Sequence, residues 1–364
     1  MGTEPNVGLA GAGGLMVSLL RKPDATPAPA GALLDARARP LRDIRISLTD
    51  HCNLRCTYCM PKETFGPGYT FLPADKLLTF EEITTLVQVL AGLGVRKVKL
   101  TGGEPLTRPF LPRLIQMLHV AAPDIEVNLI TNGLLLEPMA ERLREAGLDR
   151  LTVSLDTLRP DRFAAMSGRG PQLLRVLAGI AAAQRAGFRP MKINMVVIRG
   201  INDDEVEAMS NHFRHPDTIL RFIEYMDVGT RNGWRREDVV TAAEILVRLS
   251  KTAALVQVDR AYRGETAKRY RYIDGSGEIG FIASISQPFC GDCSRLRLSA
   301  DGKLYTCLFS KDGFDVKKLL RGGGDPSVVR EGLADLWKAR RDQYSVERVD
   351  APARQKIEMF YIGG

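Results

Sequence analysis

From about residue 41 to residue 250 the chain repeats one alternation. A short stretch with every second residue apolar gives way to a longer one whose apolar residues recur at three- and four-residue spacing. The first pattern marks a strand with one dry face, the second an amphipathic helix. Strands are predicted at 43–49, 97–101, 126–130, 150–155, 192–198 and 219–225. In the first, Ile44, Ile46 and Leu48 share one face, and Arg45, Ser47 and Thr49 the other. The best-marked helix opens on Thr79-Phe80-Glu81-Glu82, a capping box, carries Ile83, Leu86, Val87, Leu90 and Leu93 at helical spacing, and stops at Gly92 and Gly94. Further helices are expected at 111–120, before Gly147, across 172–186, after Asn202-Asp203-Asp204-Glu205, and at 241–249.

Strands alternating with helices of this length make parallel βαβ units, which places the chain in the α/β class. Six units are too few for a closed eight-fold barrel. Polar and glycine residues gather just after the strands, as in barrels whose site lies at that end. An incomplete (β/α)6 TIM-like barrel fits over 41–257, and a doubly wound sheet fits the same pattern. Beyond residue 249 the chain becomes Arg-rich and hairpin-like, with an Asp301-Gly302 turn inside 296–305 and a helix at 327–338. Residues 258–364 are read as a C-terminal region closing the open side of the barrel. Residues 1–40, rich in Gly, Ala and Pro, are read as a flexible extension that adds nothing to the core.

Composition narrows the class. Of 364 residues 45% are hydrophobic and 26% charged, which argues against wholesale disorder and against a membrane protein. No apolar run approaches the length of a spanning helix. Residues 15–20 lack the preceding basic segment of a signal peptide, so a cytoplasmic location is expected. A net charge of +8 suits an anionic partner. No basic run with interleaved aromatics points to nucleic acid.

The six cysteines fall in two groups of three, Cys52, Cys56 and Cys59, then Cys290, Cys293 and Cys307. In a cytoplasmic protein such clusters favour metal over disulfides. Three thiolates leave one iron of a four-iron cluster open to an outside ligand. Buried free cysteines, or zinc with a fourth ligand such as His51, remain alternatives on spacing alone.

The pattern Cys52-x-x-x-Cys56-x-x-Cys59, with Tyr58 before the last cysteine, resembles the signature of the radical S-adenosylmethionine enzymes. Thr101-Gly102-Gly103-Glu104-Pro105, at the next strand end, is similar to the segment that meets the methionyl amino group of the cofactor in that superfamily. The second group, Cys290-Gly-Asp-Cys293-Ser-Arg295-Leu-Arg297 with Cys307 further on, resembles the auxiliary-cluster motif of the GTP 3′,8-cyclase family of molybdenum-cofactor biosynthesis. Asp203-Asp204, the 229–234 segment and the terminal Gly363-Gly364 match that family too. The resemblance covers about residue 41 to the end.

It implies two [4Fe–4S] clusters, on Cys52, Cys56 and Cys59 and on Cys290, Cys293 and Cys307, with S-adenosylmethionine held near Tyr58, Gly103, Ser154 and Met226. It implies GTP as substrate, contacted by Arg45, Lys99, Thr131, Lys192, Arg295 and Arg297. Gly363 and Gly364 would reach into the active site with Arg295 and Arg297. The implied reaction is abstraction of the ribose C3′ hydrogen by a 5′-deoxyadenosyl radical, then closure onto guanine C8 to give 3′,8-cyclo-7,8-dihydro-GTP. A flavodoxin or ferredoxin as reductant, a downstream cyclic pyranopterin monophosphate synthase and a homodimer are implied as well.

Two positions depart from the family pattern. Ile130-Thr131 stands where two threonines are common, and Lys99 where arginine is frequent, which keeps the charge and loses the bidentate fork. His51, His119, His212 and His215 match no catalytic role. The alternatives are a peptide-modifying radical enzyme, which would carry a longer cysteine-rich C-terminal motif, and a non-catalytic iron–sulfur or zinc protein.

Overall fold

The computed structural model describes residues 32–323, 325–348 and 356–363, so Gly364 and residues 1–31 lie outside it. Strand β1 (Asp43–Ser47) runs into the cysteine loop; α1 (Phe80–Gly92), β2 (Lys97–Thr101), α2 (Leu111–Ala121) and β3 (Glu126–Thr131) follow. Next come α3 (Ala140–Glu145), β4 (Arg150–Ser154), α4 (Pro160–Ser167), α5 (Leu173–Arg185), β5 (Met191–Val197), α6 (Val206–His212) and β6 (Thr218–Glu224). The six predicted strands are all present within a residue or two at each end.

The remainder comprises α7 (Ala242–Ser250), β7 (Leu255–Val258), β8 (Lys268–Tyr272), β9 (Glu278–Ile282), β10 (Arg295–Leu298), β11 (Lys303–Tyr305) and β12 (Phe314–Asp315). Three helices close the list: α8 (Val316–Arg321), α9 (Pro326–Lys338) and α10 (Met359–Ile362). All strands join one sheet in the order β12-β11-β10-β1-β2-β3-β4-β5-β6-β9-β8-β7.

The expected boundary near residue 258 does not divide this sheet. Strand β10 pairs parallel with β1 at one end of the six-strand run, and β9 pairs parallel with β6 at the other. The C-terminal region therefore extends the parallel sheet on both sides, and β7, β8, β11 and β12 finish it with antiparallel edges. The hairpin expected within 296–305 is present as β10 and β11, whereas β7, β8 and β9 were not read from the sequence.

Alternation decides what each face does. Ile44, Val98, Leu100, Val127, Leu129, Val153, Ile193 and Met195 are buried against the helices, whose Leu86, Leu90, Leu114 and Leu118 are fully buried too. The opposite face presents Arg45, Lys99, Asn128, Lys192 and Arg221. A dry outer layer thus anchors a polar inner one.

The reading of residues 1–40 as irrelevant to the core is corrected for residues 32–40. Leu34 bridges to Pro40. Asp35 and Arg39 are buried, and Leu33 packs against the main core. Asp35 pairs there with Arg39, four residues on, and with Arg340 from the far end of the chain, a partner that the local sequence does not announce.

The capping box of α1 forms as expected: Glu82 N donates to Thr79 Oγ1 at 3.1 Å and Thr79 N donates to Glu82 Oε2 at 2.8 Å. Thr79→Ala is expected to lower stability by about 1 kcal/mol, read from the urea midpoint. No change in midpoint would show that the exposed cap contributes nothing.

Candidate active site: two cysteine loops across one cavity

The loop after β1 is pinned from three sides. Arg55 donates through Nε to Phe65 O at 2.7 Å and through Nη1 to Cys52 O and Leu54 O at 2.8 and 2.7 Å. Arg55 N and Thr57 N donate to the carbonyls of Ser167 and Met166, at the end of α4. That helix escaped the periodicity because it spans only eight residues. On the third side, Gly103 N and Glu104 N donate to Thr49 O and His51 O, both at 2.7 Å. A Cβ on Gly103 would come within 2.2 Å of His51 O, so only glycine permits this approach.

Glu104 is buried and accepts from Leu106 N at 3.0 Å, Thr131 Oγ1 at 2.7 Å and Asn132 N at 2.7 Å. Burial nevertheless pushes its carboxyl up to about 7. Tyr58 donates its hydroxyl to Asp156 Oδ2 at 2.7 Å, and burial pushes Asp156 up to about 6. The walls around the first cysteine loop therefore hold two carboxyls suited to meet a cation.

One cavity takes in Cys52, Cys56 and Cys59 on one side and Cys290, Cys293 and Cys307 on the other. All six are free and half-buried. Among the described residues no three His, Cys, Asp or Glu side chains converge as a single metal ion would require. Three thiols on each loop, facing one cavity, are a donor set that fits a four-iron cluster with one iron left open.

The two loops differ electrically. Burial raises Cys52 to about 11, with Glu104 adding to the shift, and burial raises Cys56 and Cys59 further still. Burial also acts on Cys293, but the guanidiniums of Arg295 and Arg340 outweigh it and bring the thiol down to about 6. Arg295 Nη2 lies 3.4 Å and Arg340 Nη2 3.2 Å from its sulfur.

Tyr58, Gly103, Ser154 and Met226 line the cavity, as do Arg45, Thr131, Arg295 and Arg297. Lys99 and Lys192 are half-buried and lie outside that wall. Burial lowers both, and the charge of Arg221 adds to the effect, bringing Lys192 to about 8. Thr131 sits on the wall, but its hydroxyl proton is engaged by Glu104. Gly363 lies off the wall and accepts a hydrogen bond from Arg297 Nη1. Gly364 is outside the described residues.

Sequence reasoning missed Arg221, Asn132, Asn194, Asp156, Arg39 and Arg340, all on the cavity wall. Arg221 was legible: it alternates with Leu220 and Phe222 along β6, and charge inside a strand marks a polar inner face. Arg340 carried no such signal. The Nε atoms of Arg45 and Arg221 are buried without partners, as are Asn128 Oδ1 and Asn194 Oδ1. Burial together with Arg297, Arg295 and Arg221 holds Arg45 well below the usual arginine range. Cations that repel one another around a cavity are arranged for a polyanion.

An α/β sheet with three thiols at its first strand end and a GGEP turn at its second is the frame of the radical S-adenosylmethionine class. The family description "Radical SAM superfamily" matches residues 46–213, and "Molybdenum Cofactor Synthesis C" matches 218–346. The chain is similar to the crystal structure of Streptococcus suis SuiB bound to S-adenosylmethionine, at TM-score 0.55 and 15% identity, covering 81% of this chain and 68% of that one. This likeness concerns the fold alone.

A GTP 3′,8-cyclase of Acidothermus cellulolyticus is 50% identical over 91% of this chain and 98% of its own length. Those of Xanthomonas axonopodis pv. citri and Staphylococcus epidermidis are 48% and 44% identical, each over 91% of this chain and 98% of the relative. The chain belongs to the GTP 3′,8-cyclase family. It is a radical S-adenosylmethionine enzyme, and the peptide-modifying and non-catalytic alternatives fall away. No helix among the described residues is long and apolar enough to cross a membrane.

Proposed function

We propose that this chain converts GTP to 3′,8-cyclo-7,8-dihydro-GTP, the first step of molybdenum-cofactor biosynthesis, with one [4Fe–4S] cluster on each cysteine loop. One observation carries the reading: two three-thiol loops face the same cavity as Arg45 and Arg221, whose buried Nε atoms have no partner. Cys52, Cys56 and Cys59 would hold the first cluster, which with S-adenosylmethionine bound would supply the radical chemistry needed at the ribose C3′ position. Everything else is the work of side chains.

Tyr58, Gly103, Ser154 and Met226 surround the cofactor, and the Glu104 carboxylate, held in place by Thr131 and Asn132, faces its ammonium group. Arg45, Arg221, Lys99 and Lys192 hold the triphosphate. Arg295 and Arg297 would fix the nucleotide beside Cys290, Cys293 and Cys307, the three thiols that would hold the second cluster. Thr131 serves through Glu104. Apolar walls from Leu54, Ile130, Val196, Ile223 and Phe360 keep water from the radical. The protein is proposed to act in the cytoplasm as a homodimer, with a flavodoxin or ferredoxin as reductant and a cyclic pyranopterin monophosphate synthase taking its product.

Reduced, reconstituted protein given S-adenosylmethionine and GTP is expected to release 5′-deoxyadenosine and the cyclised nucleotide together. Deoxyadenosine with no cyclised product would remove the assignment of substrate. Zinc in place of iron at both loops would remove the chemistry altogether.

Lys192 gives the binding a pH signature. Free of ligand, it loses its proton near 8, and a triphosphate binds the charged form, so binding above that pH must take up a proton. GTP affinity is expected to fall between pH 7 and pH 9, approaching about tenfold per pH unit. In Lys192→Met the fall is shallower, with Lys99 supplying part of the remaining slope. Equilibrium binding at several pH values checks this, and identical slopes would exclude Lys192 from the phosphate site.

A further inference from the structure

Behind the second cysteine loop lie three buried charges to which the reaction gives no task. Asp35 and Arg39 come from the segment before β1, and Arg340 follows α9. The Asp35 carboxylate accepts from Arg39 Nε at 2.6 Å and from Arg340 Nη1 at 3.5 Å. All three side chains are at most 1% exposed. The Arg340 guanidinium lies 4.6 Å from the centre of the Trp337 ring, and Trp337 Nε1 donates to Arg39 O at 3.2 Å.

Each arginine then reaches a different cysteine. Arg39 Nη1 donates to the carbonyl of Cys290 at 2.9 Å. Arg340 Nη1 donates to the carbonyl of Cys293 at 2.6 Å, and its Nη2 to the sulfur at 3.2 Å. Arg295 adds a second donor to that sulfur.

The two carbonyl bonds would suffice to tie the loop down. The bond to sulfur is different, because a neutral thiol is a weak acceptor and a guanidinium pointed at it gains little. It gains much where the sulfur carries negative charge as a metal-bound thiolate. Among the hydrogen bonds of the described residues, Cys293 alone of the six cysteines receives guanidinium donors on its sulfur. Hydrogen bonds to ligand sulfurs stabilise the more negative, reduced state of a cluster.

We propose that Arg340 is a positioning residue for an iron–sulfur cluster at the second loop: held by Asp35 and Trp337, it donates to the Cys293 sulfur and raises the reduction potential of that cluster. This rests on the two-cluster reading above. It assigns residues 32–40 a purpose, since Asp35 sets the orientation of the donor.

The test uses the full chain with Cys52, Cys56 and Cys59 replaced by alanine, so that only the second site holds iron. Its potential is read by a paramagnetic-resonance redox titration, with Arg340 intact and as Arg340→Met and Arg340→Lys. Arg340→Met is expected to make the cluster harder to reduce by about tenfold in the equilibrium constant, or 59 mV for one electron. Arg340→Lys, which keeps the charge and loses the fork, is expected to fall between, and it serves as the readout if the methionine variant does not fold. Equal potentials with iron present overturn the proposal and leave the two-cluster reading standing. If the protein with Arg340 intact binds zinc and no iron, the two-cluster reading itself fails and the proposal with it.

Discussion

Deleting Gly363 and Gly364 abolishes cyclisation of GTP while leaving the iron content and visible spectrum of the protein unchanged. A chain end frays by default, yet this one is drawn in. Helix α10 buries Phe360, whose ring centre lies 5.0 Å from that of Phe65, in a small cluster with Met60. Gly363 follows at φ +70°, and a Cβ there would collide with Thr101 Cγ2, so Gly363 lies against β2. Its carbonyl takes the only side-chain hydrogen bond that Arg297 makes among the described residues.

Without the two glycines Arg297 keeps its charge and loses the partner that orients it. The cysteines keep theirs, because among the described residues none of their hydrogen bonds involves Gly363. Iron analysis and spectra should therefore match the intact protein, while product formation disappears. Gly363→Ala is expected to act in the same direction, through both its φ and the clash. Full activity of the truncated protein would show that the tail is only packing.

Asp35→Ala destabilises the folded protein by about 3–5 kcal/mol, the usual loss when one member of a buried ion network is removed. Arg39 and Arg340 would both remain buried, with no carboxylate for Arg39. Asp342, 3.5 Å from Arg340 Nε and 32% exposed, is a poor replacement for the latter. Asp35→Asn should lose less, because an amide oxygen still accepts. Urea or thermal unfolding measures both. A loss below about 1 kcal/mol for the alanine variant would place the network at the weak level of surface pairs.

This second expectation reverses the sequence reading of residues 32–40. Leu33-Leu34-Asp35-Ala36-Arg37-Ala38-Arg39-Pro40 has no periodicity, and its charges look like solvated ones. Their burial depends on Trp337 and Arg340, which arrive from the far end of the chain. Local pattern cannot anticipate a partner that remote. Arg340 is hidden for the same reason, since Lys338-Ala339-Arg340-Arg341-Asp342 reads as the exposed end of a helix.

Other parts were legible because their physics is local. The six strands and most helices of 41–250 followed from periods of two and 3.6. The GGEP turn was found through the resemblance, and the structure supplies its reason, since a Cβ on Gly103 would collide with the cysteine loop. The cysteine spacing named the ligands, alternation put Arg45 on the polar face of β1, and the family resemblance named Lys99 and Lys192. Arg221 obeys the same alternation and was there to be read.

What the amino-acid sequence determined by itself, then, is the parallel α/β frame, the two thiol triplets and the family to which they belong. Each rests on neighbours within a few residues. Tertiary structure alone decided that β9 and β10 extend the parallel sheet on both sides, that the two thiol triplets share one cavity, and that Arg39, Asp35 and Arg340 lie behind the second. These outcomes depend on which distant segments pack together, and burial, which turns an ordinary arginine into a costly and therefore purposeful one, exists only once they have.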